Sequence, residues 1–215
     1  MKKIILVNII TIIVLVLIGI GGFYYYNQAT GYIKTDNAKV DGEQMKIASP
    51  ISGKLDSFDA KENKDYSKGD KLAEVTGKGE DGSPQKMDIE MPQKGTIVKT
   101  DGIEGDMVQT GSPIAYAYNL DDLYITANVD EKDISDVEKG NDVDVKIDGQ
   151  NSKVKGKVDE VGKATAASFS LMPSSNSDGN YTKVSQVVPV KISLDSAPSN
   201  SVVPGMNAEV SIHKN

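Results

Sequence analysis

The chain has 215 residues, a formal net charge of −7 and no cysteine. The acidic balance argues against nucleic-acid binding, which requires a basic face, and the absence of cysteine excludes disulfides and thiolate metal sites. The single histidine, His213, stands near the C-terminus without the partners that a catalytic triad or a zinc site needs. We therefore predict an ordinary tail residue there, and no catalytic, cofactor-binding or metal-binding site in the chain.

An apolar segment lies at the beginning of the chain. Residues 4–26 are almost wholly apolar and end in Phe23 and three tyrosines, and as a helix they would measure about 35 Å, enough to cross a bilayer. Lys2 and Lys3 precede the segment, which places the N-terminus in the cytoplasm and the body outside. A cleaved signal peptide is the alternative, but its apolar core would be shorter and followed by small residues. We predict a cytoplasmic stub over 1–3 and an uncleaved single-pass transmembrane helix over 4–26 in the cell membrane.

Two stretches of the chain, 50–75 and 92–117, repeat each other in one ungapped register. Five positions agree in character: Pro50 with Pro92, Gly53 with Gly95, Leu55 with Ile97, Gly69 with Gly111, and Leu72 with Ile114. Each copy reads as a Pro-x-x-Gly turn, a short strand, a polar stretch, a Gly turn and another strand. Two such halves folded face to face predict a flattened β-sandwich.

The connection between the two repeats is short and polar. Residues 76–86 read TGKGEDGSPQK, which is typical of a loop, whereas even one useful helix of a helical hairpin would need about 12–15 residues. The predicted sandwich resembles biotin and lipoyl carrier domains, which would present a modified lysine between the halves, and Lys86 stands near that place. We favour a solvated loop lysine over covalent attachment of a cofactor.

The C-terminal part alternates apolar and polar residues. Such alternation over 123–129 predicts a half-buried strand, followed by a short helix that Asp130 caps and Gly140 closes. Pro189 favours an edge position for its strand. Several short strands and one helix predict a small β-barrel, the strands lying near 123–129, 143–147, 154–161, 188–194 and 208–212.

These segments resemble the membrane fusion proteins of the HlyD/EmrA type, the periplasmic adaptor family. Residues 46–119 resemble the family's split biotinyl/lipoyl domain, LYITANVDEKDISDVEKGNDVDVKIDG its barrel opening, and 167–192 the EmrA branch in particular. YIKTDNAKVDGEQMKIASPISG resembles its lead-in strand, and PGMNAEVSI its closing strand. The resemblance implies a mainly β fold with a lead-in strand over 27–45, lipoyl-like halves 46–75 and 86–119 joined by a loop over 76–85, and a β-barrel over 120–215.

The resemblance also implies a function. The chain would be a non-enzymatic adaptor of a multidrug or small-molecule efflux or secretion system, with the membrane, a polytopic inner-membrane transporter and further copies of itself as partners. A major-facilitator pump is the first expectation; an ABC exporter, or an anchored extracellular binding module without a transporter, stays open. Many family members carry a long coiled-coil hairpin between the lipoyl halves. Its absence here argues against an outer-membrane channel as a partner and fits a Gram-positive envelope.

One long connection between barrel strands, residues 167–181, contains the candidate partner contacts. Loops of that length are usually functional or disordered, and exposed apolar residues in them tend to mark interfaces. The alternative is that these side chains cover the open end of the barrel. The candidate residues are Phe169, Leu171, Met172 and Tyr181.

Overall fold

The computed structural model describes residues 11–22, 31–79, 82–169, 185–196 and 201–214, and these residues are mainly β, as the sequence predicts. They divide into two compact units: one consists mainly of residues 40–124, the other of 125–196 with segments from both ends of the chain. The strands, in chain order, are β1 (Tyr32–Asp41), β2 (Gln44–Ala48), β3 (Gly53–Phe58), β4 (Asp65–Tyr66), β5 (Lys71–Lys78), β6 (Pro84–Glu90), β7 (Gly95–Thr100), β8 (Met107–Val108), β9 (Pro113–Tyr118), β10 (Tyr124–Asp130), β11 (Asp142–Ile147), β12 (Val154–Val161), β13 (Val187–Leu194) and β14 (Asn207–His213).

Part of the predicted transmembrane segment is described by the structure. Residues 11–22, inside the predicted transmembrane segment, are helical, and the other residues of 4–26 lie outside the described ranges. Within the described ranges, no helix is both long enough and apolar enough to cross a membrane.

The first unit contains two four-stranded antiparallel sheets. Their strand orders are β2-β9-β7-β4 and β6-β5-β3-β8. Alternate side chains of the strands bury an apolar core between them, because successive residues of a strand point to opposite faces. The fully buried members of this core include Leu55, Leu72, Val75, Ile97 and Ala117.

The predicted repeat is confirmed by the strands and extends further than the sequence comparison showed. β3 and β7, β4 and β8, and β5 and β9 begin at positions related by the same offset as Gly53 and Gly95. The same offset relates β2 to the end of β6, where Ile47 and Ile89 are both buried. Each half of the sandwich therefore supplies four strands and the same set of core positions.

Gly53 and Gly95 occupy equivalent places, and each directly follows a bend where the sequence predicts a Pro-x-x-Gly turn. They are the first residues of β3 and β7. A Cβ atom on Gly53 would overlap the carbonyl oxygen of Thr76, and one on Gly95 would stand 2.5 Å from the Met45 methyl and 2.7 Å from the carbonyl oxygen of Tyr118. Glycine is required at both positions because a neighbouring strand approaches the backbone too closely for a side chain.

The loop predicted over 76–85 is shorter in the structure. β5 continues to Lys78 and β6 begins at Pro84, with Thr76 opposite Lys86 in the antiparallel register. Gly79 N donates to the carbonyl oxygen of Ser83 across the remaining turn at 2.8 Å. The polar composition was misleading because the first residues of β6 are exposed and bury nothing, so they need not be apolar to form a strand.

The second unit is the small closed barrel that the sequence predicts. Its six strands follow the order β1-β10-β13-β12-β11-β14, and every strand buries alternate small or branched side chains in the interior. Among the most buried are Ile125, Ala127, Val145, Ile147, Val190, Ile192, Val210 and Ile212.

Two strands of the barrel differ from the sequence-based expectations. The predicted lead-in strand is a barrel strand, because Ile33 and Thr35 of β1 pair with Ile212 and Val210 of β14. Pro189 lies inside the closed barrel and not at an edge. Its carbonyl oxygen accepts from Gly162 N at 2.8 Å, just beyond the end of β12. In a strand, the N–H and C=O of one residue point towards the same neighbouring strand. The N–H that Pro189 lacks would therefore point beyond the last residue of β12, so the proline removes no hydrogen bond of that ladder.

The predicted helix after β10 is only a 3-10 turn. It covers Ile134–Asp136, and its N-cap residue, Asp133, makes no side-chain capping hydrogen bond. Asp130 is the last residue of β10, and its Oδ1 accepts from the backbone N–H of Lys132 at 3.3 Å and from the hydroxyl of Ser185 at 2.8 Å. The turn ends at Asp136, and Val137 after it is already extended. Gly140 therefore does not close it, although its φ of 95° is one that an L side chain rarely adopts.

Candidate partner-binding surfaces

The candidate contacts of the 167–181 connection lie almost wholly outside the described residues. Phe169 ends a 3-10 helix over Ala166–Phe169, and its side chain is not among those described. Leu171, Met172 and Tyr181 also fall outside the described ranges. The role of this loop therefore stays a prediction.

Lys86 lies on β6 and not at the tip of a turn. Its Nζ stands 2.7 Å from Glu74 Oε1 and 3.6 Å from Asp56 Oδ2. The hydrogen bond to Glu74 raises the pKa of the lysine, and the charge of Glu74 adds to this effect. A paired, protonated amine in the middle of a strand is poorly suited to covalent attachment, because nucleophilic attack needs the neutral amine.

The same lysine belongs to a group of ion pairs that joins β5 and β6. Lys71 Nζ lies 2.7 Å from Glu74 Oε2 and 2.6 Å from Asp88 Oδ1. Hydrogen bonds from Lys71 and Lys86 lower the pKa of Glu74 to about 2. The cross-strand pairs hold the hairpin in register, so this part of the surface stabilises the fold.

A second exposed surface, at the edge strand β8, is apolar. Ile103 and Met107 expose 64% and 76% of their area, on and just before the edge strand β8. Glu104 and Asp106 lie between them in the sequence. Reading the chain for apolar patterns does not single out this pair, but the repeat carries a signal for it: the equivalent positions of the first half are the charged residues Lys61 and Asp65.

His213 is a barrel residue and not a loose tail. It is the last residue of β14, its ring meets that of Tyr32 edge-on with 4.7 Å between centroids, and its Nε2 lies 3.2 Å from Asp144 Oδ2. Among the residues that the structure describes, no group of His, Asp and Glu is arranged to hold a metal ion. The contacts of His213 connect β14 to β1 and β11, its neighbours in the barrel.

A sandwich of two repeated halves followed by a closed six-stranded barrel defines the class of membrane fusion adaptors. Residues 43–119 match the family of the YhbJ barrel-sandwich hybrid domain, and residues 122–213 match the AAEA-like β-barrel domain. The chain is 48% identical to the proposed efflux system component YhbJ of Bacillus subtilis over 98% of its own length and 92% of that protein's. The chain belongs to the YhbJ family of membrane fusion adaptors, which are not enzymes.

More distant relatives agree with this assignment. The colistin resistance protein EmrA of Acinetobacter baumannii is 39% identical over 42% of this chain, a match that covers 26% of that longer protein. The solved structure of the periplasmic adaptor protein EmrA superimposes with a TM-score of 0.56 at 11% identity, covering 86% of this chain and 99% of that one. The second likeness shows the shared fold alone. The resemblance drawn from the sequence is confirmed.

Proposed function

We propose that the protein is the membrane-anchored adaptor of a small-molecule efflux system and works beside a polytopic inner-membrane transporter. The observation that carries the proposal is the match to YhbJ along nearly the full length of both chains, because that relative is named as an efflux component. The name of the EmrA relative, a colistin resistance protein, points in the same direction. The protein contributes geometry and assembly to export, and no bond chemistry.

Anchoring by residues 4–26 is part of the proposal. The segment is apolar, and in its described part the large side chains are exposed by between 46% for Val14 and 64% for Ile18. Side chains of this kind require an apolar surrounding, which a bilayer supplies. Lys2 and Lys3 would stay in the cytoplasm, and the sandwich and barrel would lie outside the membrane. The domain boundaries inferred from the resemblance belong to the same proposal.

The transporter is proposed to be of the major-facilitator type. The support is the likeness of residues 167–192 to the EmrA branch, and an ABC exporter is the second choice. Phe169, Leu171, Met172 and Tyr181 are proposed to contact this pump. The connection between Lys78 and Pro84 is too short for a long helical hairpin, which supports a system without an outer-membrane channel.

Co-purification tests this function. The tagged full chain, extracted from its own membranes in mild detergent, should retain a polytopic major-facilitator transporter, and deletion of its gene should increase sensitivity to toxic small molecules. Replacement of Phe169, Leu171 and Met172 by Ser should abolish the transporter's retention without lowering the melting temperature. Recovery of the adaptor with no transporter, together with unchanged drug sensitivity, would refute the proposal. A mature N-terminus near Thr30 would refute the anchor.

A further inference from the structure

The outer faces of the two sandwich sheets differ at equivalent positions. In the first half, Glu74 of β5 lies opposite Asp88 of β6, and both carboxylates pair with lysines. The equivalent residues of the second half are Tyr116 of β9 and, opposite it, Lys46 of β2. Lys46 is exposed, and among the residues that the structure describes it forms no ion pair. The same row of the sheet is therefore closed by ion pairs in one half and left unpaired in the other.

A second tyrosine lies on the same outer face. Tyr118 follows Tyr116 by two residues on β9, so both side chains point away from the core, about 7 Å apart along the strand. The phenol oxygen of Tyr118 accepts from Gln44 Nε2 at 2.9 Å, and a Cβ atom on Gly42 would stand 3.2 Å from its ring. The ring thus rests against the backbone at Gly42, and its position is fixed before any ligand arrives. In the first half the equivalent residue is Thr76, so the sandwich does not need an aromatic ring at this place.

Hydrogen-bonding groups lie around the two rings. On β7, Thr96 is opposite Tyr118, and Lys99 is opposite Tyr116. Lys99 Nζ lies 5.6 Å from the centroid of the Tyr116 ring and 2.8 Å from Asp101 Oδ1, so this lysine already has a carboxylate partner. The face therefore presents aromatic rings in the middle of a shallow sheet surface, with hydroxyl, amide and amine groups at their sides.

This combination of side chains suits a sugar polymer. The C–H groups on the faces of sugar rings stack on aromatic rings, and sugar hydroxyl groups exchange hydrogen bonds with side chains such as Gln44 and Thr96. A protein partner would require a larger apolar centre, and on the described part of this face Val98 is the only large aliphatic side chain that is exposed. Lys46, which has no carboxylate of its own, adds a place for a carboxylate of the ligand.

We propose that the outer face of β2, β9 and β7 binds a glycan strand that carries carboxylates, through Tyr116, Tyr118 and Lys46. Neighbouring sugar rings stack on the two tyrosines, and a carboxylate of the strand pairs with Lys46. This inference rests on the proposed adaptor function, which places the sandwich outside the membrane, where the polysaccharides of the cell envelope lie. Bound in this way, the sandwich is attached to an envelope polymer while residues 4–26 hold the chain in the membrane.

Titration calorimetry of the full chain in mild detergent tests the proposal with two probes. One is a soluble strand of alternating N-acetylglucosamine and N-acetylmuramic acid, whose lactyl groups carry carboxylates; the other is an N-acetylglucosamine oligomer, which carries none. The wild type should bind both probes, and the carboxylate strand more tightly. Y116L/Y118L should weaken the binding of both roughly tenfold or more, because the stacking rings are lost, whereas Y116F/Y118F, which keeps the rings, should retain most of it. K46Q should lower the affinity for the carboxylate strand to that for the neutral oligomer.

The control is Y32L, which removes a half-buried tyrosine of the barrel and should bind both probes as the wild type does. No binding of either probe by the wild type, or equal affinities for the wild type and Y116L/Y118L, would overturn the glycan site. So would a loss of binding in Y116F/Y118F as large as in Y116L/Y118L. If Y116L/Y118L bound the probes normally but lost the transporter in co-purification, the face would be a protein contact and the proposal would be wrong. Absence of a transporter from the purified unmodified protein would instead overturn the adaptor function, so the two failures are distinguishable.

Discussion

The two halves of the sandwich share a backbone and a core but differ on the outside. Leu55 and Ile97 occupy equivalent places and are both fully buried. On the outer face, Glu74 of the first half accepts from two lysines, whereas its equivalent, Tyr116, has Lys99 Nζ 5.6 Å from its ring centroid. Core packing requires similar apolar residues at equivalent positions of the two halves, whereas the outer surface places no such requirement on its residues. The positions at which the halves diverge are therefore the ones where stability and function can be separated.

The largest effects should come from the shared core. L55A and I97A should each lower the free energy of unfolding by about 2–5 kcal/mol, because each leaves a cavity between the sheets. Urea denaturation of the full chain in mild detergent, followed by circular dichroism, measures the loss. K54A, an exposed change on the same strand as Leu55, is the control and should cost close to nothing. A large loss for one half and none for the other would contradict a common core.

The paired glycines should give the next largest effect. G53A and G95A should each cost about 1–3 kcal/mol, since the added methyl group meets a neighbouring strand. G53A should lie at the upper end, because its nearest neighbour is a backbone carbonyl, whereas part of the obstacle to G95A is the movable end of Met45. The same urea denaturation experiment measures the loss of stability in both variants. Wild-type stability for both variants would show that neither approach is as close as described.

The left-handed residues of two equivalent loops, Gly105 with a φ of 93° and Asn63 with a φ of 61°, provide a finer comparison. G105A should cost about 1 kcal/mol, because an L side chain is disfavoured at this φ, and a Cβ atom there would contact nothing within 4 Å. N63G, at the equivalent position, should be neutral or slightly stabilising. A shift of the urea midpoint with an unchanged slope measures both changes. If G105A proved neutral, the loops would differ in backbone as well as in surface.

The smallest effect should depend on pH. The folded pKa of Glu74, about 2, lies below its ordinary value of 4.5, so its contribution to stability is present above about pH 4.5 and is lost as the pH falls towards 2. The urea midpoint of E74Q should therefore be slightly lower than that of the wild type at pH 6, and the two should converge near pH 2. Y116F, the control in the other half, should show no such convergence. A difference for E74Q that stays constant over this range would exclude the carboxylate as its source.

Local patterns were enough to predict the repeat and the barrel strands. Apolar alternation and glycine placement are imposed by the nearest strands, so they appear in short stretches of sequence. Barrel closure is different, because it depends on the pairing of Thr35 with Val210, which no local pattern records. The extent of β6 was also underestimated, because an exposed edge strand can be polar.

The apolar surface at Ile103 and Met107 was hidden for a related reason. An isolated isoleucine or methionine in sequence looks like a core residue, and only the structure shows that these two are exposed. Comparison of the repeats position by position, beyond the residues that agree, would have found them. The differences between equivalent residues carried information that the similarities did not.

The tight turn between β5 and β6 has a consequence for how such adaptors change length. Lys78 and Pro84 face each other across the hairpin, so two neighbouring strands, about 4.8 Å apart, end side by side. A helical hairpin, whose own ends also lie close together, could be inserted there or removed without moving any residue of the sandwich, and loop-closure entropy would change by only about 0.6 kcal/mol for each doubling of loop length. At this position a single insertion or deletion would change the length of the adaptor and leave the packing of the sandwich unchanged. The length of such an adaptor and the stability of its sandwich can therefore change independently of each other in evolution.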